Sequence, residues 1–155
     1  MTMSDRTRQN EHREETVQAQ AAEKPKILIV EDEPMLQEAY KHVLTFKGYT
    51  VFTADNGEEG LEQLERHRPD IILLDVLMPR LDGIGFLQQA DMPKKYPDVV
   101  VVACSNLSDQ VTADKLTKYG AHKQVLKSDL SPSQLIELVE TFSGGATTPR
   151  KSPKR

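Results

Sequence analysis

Acidic, hydroxyl and cationic side chains fall at the ends of four separate apolar runs in this sequence. Glu31-Asp32-Glu33 follows KILIV (26–30), Asp75 follows DIILL (70–74), Ser105-Asn106 follows VVVVAC (99–104), and Lys127 follows KQVL (123–126). Taken singly, each has a bland reading: an acidic turn is usually a helix cap or a solvated loop, and a strand-ending Lys or Ser is usually solvated or satisfied by backbone. Together they describe a site. Three carboxylates brought within a few ångströms repel one another and raise the pKa of at least one, and a divalent cation relieves that repulsion. Mg²⁺ takes oxygen ligands, usually only one or two protein carboxylates, and leaves its other positions to waters and phosphate oxygens. A carboxylate beside such an ion can attack a phosphoryl group and become an acyl phosphate. The three phosphoryl oxygens then need cations and donors around them. Lys127 can supply a point charge, the Ser105 hydroxyl a hydrogen bond, and Mg²⁺ the third contact.

Such convergence needs elements that bring the four run ends to one edge. A fifth β-branched run, TVFTA (50–54), lies between the first two acidic segments. Helical spacing separates the runs. Leu36, Ala39, Tyr40, Val43 and Leu44 keep i, i+3, i+4 intervals, with Pro34 near the start and Gly48 just past the end. Gly60, Leu61 and Leu64 mark a second helix opened by Asp55 or Asn56, Ile84 and Leu87 a short third, and Ala113, Leu116 and Tyr119 a fourth. Leu135, Leu138, Val139 and Phe142 mark a fifth, opened by Ser131-Pro132 as N-cap and first helical residue. Five strands alternating with five helices predict a parallel sheet covered on both faces, a doubly wound α/β domain of three layers. Sites in such sheets form outside the carboxyl ends of the strands, where the chemistry-bearing residues stand.

Composition sets the limits. The chain has 155 residues, 37% hydrophobic, with a mean hydropathy of −0.53 and a formal net charge of −4. One domain with polar ends accounts for those values. Residues 1–24 are polar and predicted disordered, 25–143 form the domain, and 144–155 are a flexible basic tail. Charge divides as −1 over residues 1–24 and +4 over residues 143–155, which leaves −7 for the middle. An acidic centre gives no reason to expect nucleic acid. One cysteine, Cys104, excludes an internal disulfide and a multi-Cys zinc site and suits a reducing compartment. No run approaches the ~20 apolar residues of a membrane span, and the N-terminus lacks the apolar region of a signal peptide. A cytoplasmic chain is expected. Cys104 ends a buried strand and is read as packing. His12, His42, His67 and His122 have no ligand partner at metal spacing.

The motifs KILIVEDEP, PDIILLDVLMPRLDG and GAHKQVLKS resemble the receiver domain of two-component response regulators, over about residues 25–142. The resemblance implies a flavodoxin-like fold with strand order 2-1-3-4-5. It also implies an aspartate phosphorylated by a histidine kinase or histidine phosphotransfer protein. Carried over by position, Asp75 is the phosphoacceptor, Glu31 and Asp32 are the acidic pair for Mg²⁺ (Glu31 through a water), and the Leu77 backbone carbonyl is a further metal ligand. Ser105 is the switch hydroxyl and Lys127 the phosphate-binding lysine, while Pro79 and Gly83 shape the following loop. A stand-alone signalling protein is expected, with no output module after Phe142. Its contact face runs over the fourth helix, fifth strand and fifth helix, including Lys115, Tyr119, Lys123 and Gln124.

The sequence departs from the resembling pattern at four places. Gln124 stands where a switch aromatic is usual. Ser128 follows Lys127 where proline is common; since a non-proline cis bond costs roughly 3–4 kcal/mol, the Lys127–Ser128 bond is predicted trans. Asn106 replaces a small residue and either narrows phosphodonor access or donates to the phosphate. Leu77 and Leu107 occupy positions that often carry polar groups orienting the hydrolytic water, which predicts slow self-dephosphorylation. Two other functions remain open. A non-phosphorylated adaptor is favoured mildly by Gln124 and opposed by the intact set Glu31, Asp32, Asp75, Ser105 and Lys127. A metal-dependent phosphohydrolase is opposed by the place of Asp75 after the third strand, without a second acid two residues on. No glycine-rich phosphate loop follows the first strand, which disfavours nucleotide binding.

Overall fold

The computed structural model describes residues 24–106 and 109–146. Strands β1 (Lys26–Val30), β2 (Thr50–Ala54), β3 (Ile71–Asp75), β4 (Val100–Ser105) and β5 (Lys123–Leu126) alternate with helices α1 (Pro34–Phe46), α2 (Gly57–His67), α3 (Gly83–Ala90), α4 (Gln110–Lys118) and α5 (Pro132–Ala146). All four strand pairings are parallel, in the order β2-β1-β3-β4-β5. This is the doubly wound arrangement expected from the alternation of runs and helical spacings. A single 3-10 turn, Lys127–Asp129, follows β5. Leu107 and the residues beyond Ala146, like residues 1–23, lie outside the described residues.

Strand alternation divides the core into two layers. Leu28, Val30, Ile72, Leu74, Val101 and Ala103 face one side, where Leu64, Phe86, Leu87 and Leu116 of α2, α3 and α4 close over them. Ile27, Ile29, Ile71, Leu73, Val102 and Cys104 face the other, under Tyr40 and Leu44 of α1 and Leu135, Leu138 and Val139 of α5. Both faces of the central strands are therefore apolar, as a buried parallel sheet requires. Ala39, placed by spacing on the inner face of α1, is exposed.

The helices start where local chemistry allows. Of the two candidates for α2, Asn56 is the cap, its side chain accepting from the Glu59 N–H at 2.9 Å. Ser131 and Gln134 form a reciprocal capping box at the start of α5, Ser131 Oγ accepting from Gln134 N–H and Gln134 Oε1 from Ser131 N–H. Asp82 caps α3 and Asp109 caps α4. Backbone contact at the start of α3 is close: a Cβ on Gly83 would stand 2.7 Å from the Asp75 carbonyl oxygen and 2.9 Å from Val76 Cα. Only glycine lets this helix start against the segment carrying Asp75.

Candidate functional site

Strand pairing decides where each polar group ends up. Asp75 is the last residue of β3, opposite Cys104 in register, rather than the first residue past the strand. Ser105 likewise closes β4, opposite Leu126, so that Lys127 emerges directly beside it in sequence order along the edge. Glu31 extends the β1 ladder by donating its N–H to the Ala54 carbonyl at 3.0 Å. Glu31, Asp75 and Ser105 are buried, whereas Asp32 is exposed.

At the centre stands Lys127, whose Nζ is 2.8 Å from Glu31 Oε1 and 3.1 Å from Asp75 Oδ2. Glu31 Oε2 accepts from the Glu33 N–H at 3.1 Å, and Asp75 Oδ1 from the Leu77 N–H at 3.3 Å. Burial pushes the Asp75 carboxyl up to about 7; the charge of Glu31 and a hydrogen bond with Asp32 add to this, while Lys127 opposes it. Burial alone would lower the Lys127 ammonium, but its bonds to Glu31 and Asp75 hold it above its ordinary value. A neutral-pH titration is thus built into the residue that the sequence marks as the acceptor.

One carboxylate oxygen from each of Glu31, Asp32 and Asp75 lies within 4.8 Å of the others. Among the described residues this is the one such cluster of potential metal ligands. An all-oxygen, strongly anionic donor set with an exposed side fits Mg²⁺, which keeps waters and binds few carboxylates. Of the sequence-predicted residues, the structure brings Glu31, Asp75 and Lys127 into direct contact and sets Asp32 within the same cluster. Asn106 is exposed at the end of β4. The Leu77 side chain is also exposed. The Lys127–Ser128 bond is trans, since the cis peptide among the described residues is Met92–Pro93.

Gln124 points to α4. Its Nε2 donates to the Ala113 carbonyl at 2.9 Å and to Thr117 Oγ1 at 3.1 Å, and it borders a cavity of about 160 Å³ with Ser105, Leu116 and Leu126. Gln37 escaped the sequence reading. Its Nε2 reaches the carbonyls of Glu31 (2.9 Å) and Ala54 (3.1 Å) and the Asp55 carboxylate (3.0 Å), tying α1 to the ends of β1 and β2. Its sole signal was a polar residue beside the inner stripe of α1. Cys104 is buried and its thiol is pushed up to about 12 by burial, against the pull of Lys127, which leaves a packed and unreactive group.

The sequence pattern of the response regulator receiver domain matches residues 27–140, most of the chain. The chain belongs to the response regulator receiver family. It is 42% identical over 104 residues to a probable C4-dicarboxylate response regulator of Bacillus subtilis, covering 66% of this chain and 45% of that protein. It is 39% identical over 116 residues to a probable transcriptional regulator of Cyanidium caldarium, covering 75% of this chain and 45% of that one. The receiver therefore spans less than half the length of these curated relatives. Among solved structures, chemotaxis protein CheY4 of Vibrio cholerae superposes with a TM-score of 0.69 at 26% identity, over 75% of this receiver and 96% of that chain. A CheY-like receiver from Methanospirillum hungatei shares the fold with a TM-score of 0.73 at 24% identity, over 79% and 95% of the two chains. Receiver domains are signalling domains of two-component systems, and their partners are kinases or phosphotransfer proteins. Among the described residues of this receiver, no helix is long and apolar enough to cross a membrane.

Proposed function

We propose that Asp75 accepts a phosphoryl group from a phosphorylated histidine on a sensor kinase or phosphotransfer protein. The observation that carries this reading is the shared contact of Lys127 with the buried Glu31 and Asp75 carboxylates at the strand ends. Asp75 as carboxylate attacks phosphorus, the phosphorus–nitrogen bond of the phosphohistidine breaks, and the electron pair leaves with the imidazole. The acyl phosphate on Asp75 then presents oxygens to Lys127 and to the Ser105 hydroxyl. Glu31, Asp32, Asp75 and the Leu77 backbone carbonyl would hold Mg²⁺, which would supply positive charge against the phosphoryl oxygens. Lys127 stabilises the charged form of Asp75 in the buried site, and its ammonium is placed to follow that charge onto the phosphoryl group.

A phosphoacceptor rather than a phosphohydrolase is the reading that Asp75 supports, because it follows the third strand with Leu77, not a second acid, two residues on. Output passes by protein contact or onward phosphotransfer over α4, β5 and α5, with Lys115, Tyr119, Lys123 and Gln124 on the contact face. A cytoplasmic location goes with a histidine kinase as phosphodonor and is part of the same proposal. Intact-mass analysis after incubation with Mg²⁺ and acetyl phosphate tests the reading: one phosphate is gained by the wild type and none by Asp75→Asn. Equal gain in both proteins overturns Asp75 as acceptor. If neither acetyl phosphate nor a phosphorylated histidine protein phosphorylates the wild type, the constitutive-adaptor function replaces the acceptor reading.

A further inference from the structure

Tyr40 is the one buried side-chain group among the described residues whose polar atom has no hydrogen-bond partner. It is 6% exposed, on the inner face of α1, in the apolar layer with Ile29, Leu73 and Cys104. Strand alternation places the chemistry on that same face. Glu31 follows Ile29 by two residues along β1, and Asp75 follows Leu73 by two along β3, opposite Cys104 in register. The tyrosine thus shares the layer that runs under the acidic strand ends. Its hydroxyl is pushed up to about 12, by burial first and then by the charges of Cys104, Glu31 and Asp75, with Lys127 pulling the other way. It therefore remains an O–H donor within electrostatic reach of Glu31, Asp75 and Lys127.

A phenylalanine would fill the same space without burying an unpaired hydroxyl. The free site has no use for this donor, because Lys127 already serves Glu31 Oε1 and Asp75 Oδ2. Phosphorylation changes that. Lys127 is then drawn to the phosphoryl oxygens; Mg²⁺ would balance the Glu31 charge, but Glu31 Oε1 loses the hydrogen-bond donor that Lys127 supplied.

We propose that Tyr40 is a positioning residue whose hydroxyl donates to the Glu31 carboxylate once Lys127 has turned to the phosphoryl group. The inference rests on phosphoryl acceptance at Asp75. Tyr40 touches neither donor nor phosphoryl group. It holds Glu31 in place while the phosphoryl group is present, and it is idle when the site is free.

The test compares wild type with Tyr40→Phe, each free and loaded with Mg²⁺ plus beryllium fluoride as a stable phosphoryl mimic. The free variant unfolds at or above the wild-type midpoint, because an unpaired hydroxyl has been removed. Its affinity for the mimic falls about tenfold, the loss expected for one hydrogen bond to a charged group. In wild type carrying tyrosine labelled with ¹³C at Cζ, the Tyr40 resonance moves on loading, and this holds as a readout even where the variant folds poorly. Equal affinity of both proteins for the mimic, or a Tyr40 resonance unmoved by loading, overturns the inference while leaving Asp75 as acceptor. Failure of the wild type itself to bind the mimic overturns the acceptor reading, and the role of Tyr40 falls with it.

Discussion

Lys127 Nζ stands 3.1 Å from Asp75 Oδ2, and its other close contact is Glu31 at 2.8 Å. One ammonium thus compensates two carboxylates that are almost wholly buried. Removing it leaves like charges facing one another with little solvent to screen them. Breaking a buried pair from one side costs about 3–5 kcal/mol. Proton uptake by Asp75 relieves part of it at neutral pH, so Lys127→Ala should lose about 2–3 kcal/mol in urea unfolding. Mg²⁺ at the Glu31, Asp32 and Asp75 cluster should restore much of the loss, because it supplies the missing positive charge. A variant as stable as wild type without metal would show that the ammonium is not what holds the carboxylates together.

The raised Asp75 value makes the metal-free protein pH-dependent in a definite direction. Burial and the Glu31 charge place the folded carboxyl at about 7, against an ordinary value of 3.8. Below 3.8 both folded and unfolded chains hold the proton, and this group's stabilisation is fully present. Between those limits the folded chain keeps a proton that the unfolded chain has released. Stability is therefore lost as pH rises through the folded value, with a slope approaching about 1.4 kcal/mol per pH unit for one proton. Asp75→Asn should flatten that slope, and Mg²⁺ added near pH 7 should release about half a proton per chain. Denaturant midpoints from pH 4 to 8 and a pH-stat titration check the two halves. A wild-type slope retained in Asp75→Asn would assign the titration to another group.

Gln124 makes a separate prediction, since its amide joins β5 to α4 through Ala113 and Thr117. Gln124→Ala removes two hydrogen bonds at an exposed position, so the stability cost should be no more than about 1 kcal/mol. Its clearer effect is local. Amide exchange over residues 113–118 should quicken, while phosphate uptake from acetyl phosphate is unchanged. Unaltered exchange in α4 would mean that the helix is held by Leu116 and its apolar neighbours alone.

What could be read in the sequence was local or periodic. The β-branched runs located the strands, and Ser131-Pro132 located the start of α5, because both depend on neighbours within a few residues. Bounds were less legible: Asp75 and Ser105 lie inside their strands because Cys104 and Leu126 pair with them, which is a property of the neighbouring strand. Asn56 rather than Asp55 is the cap: its Oδ1 accepts the Glu59 N–H, while the Asp55 carboxylate accepts from Gln37 on the neighbouring helix. The least legible features were long-range choices of polar partner. Gln37 could have pointed to solvent, and nothing in its spacing records that the ends of β1 and β2 meet above it. Gln124 could have taken an outward rotamer as easily as the one that reaches α4.

Leu77 bears on how long a phosphoryl group would last. Its N–H bonds Asp75 Oδ1 at 3.3 Å, which fixes the loop, while its side chain is 56% exposed beside the site. An acyl phosphate is lost when water attacks phosphorus in line with the Asp75 oxygen. That water needs a polar group to hold and orient it, and an isobutyl side chain offers none. The phosphorylated protein should therefore decay slowly, and Leu77→Asn should hasten the decay about tenfold, equivalent to about 1.4 kcal/mol in the barrier. The amide of asparagine can hold a water, and the solvent-facing position tolerates the change without disturbing the core. The Leu77 backbone N–H and carbonyl are kept, so Mg²⁺ affinity and phosphate uptake should stay within about twofold of wild type. Timed intact-mass spectra after removal of acetyl phosphate give both lifetimes. Equal lifetimes would place the control of hydrolysis elsewhere in the site, with the exposed Asn106 at the end of β4 the next position to substitute.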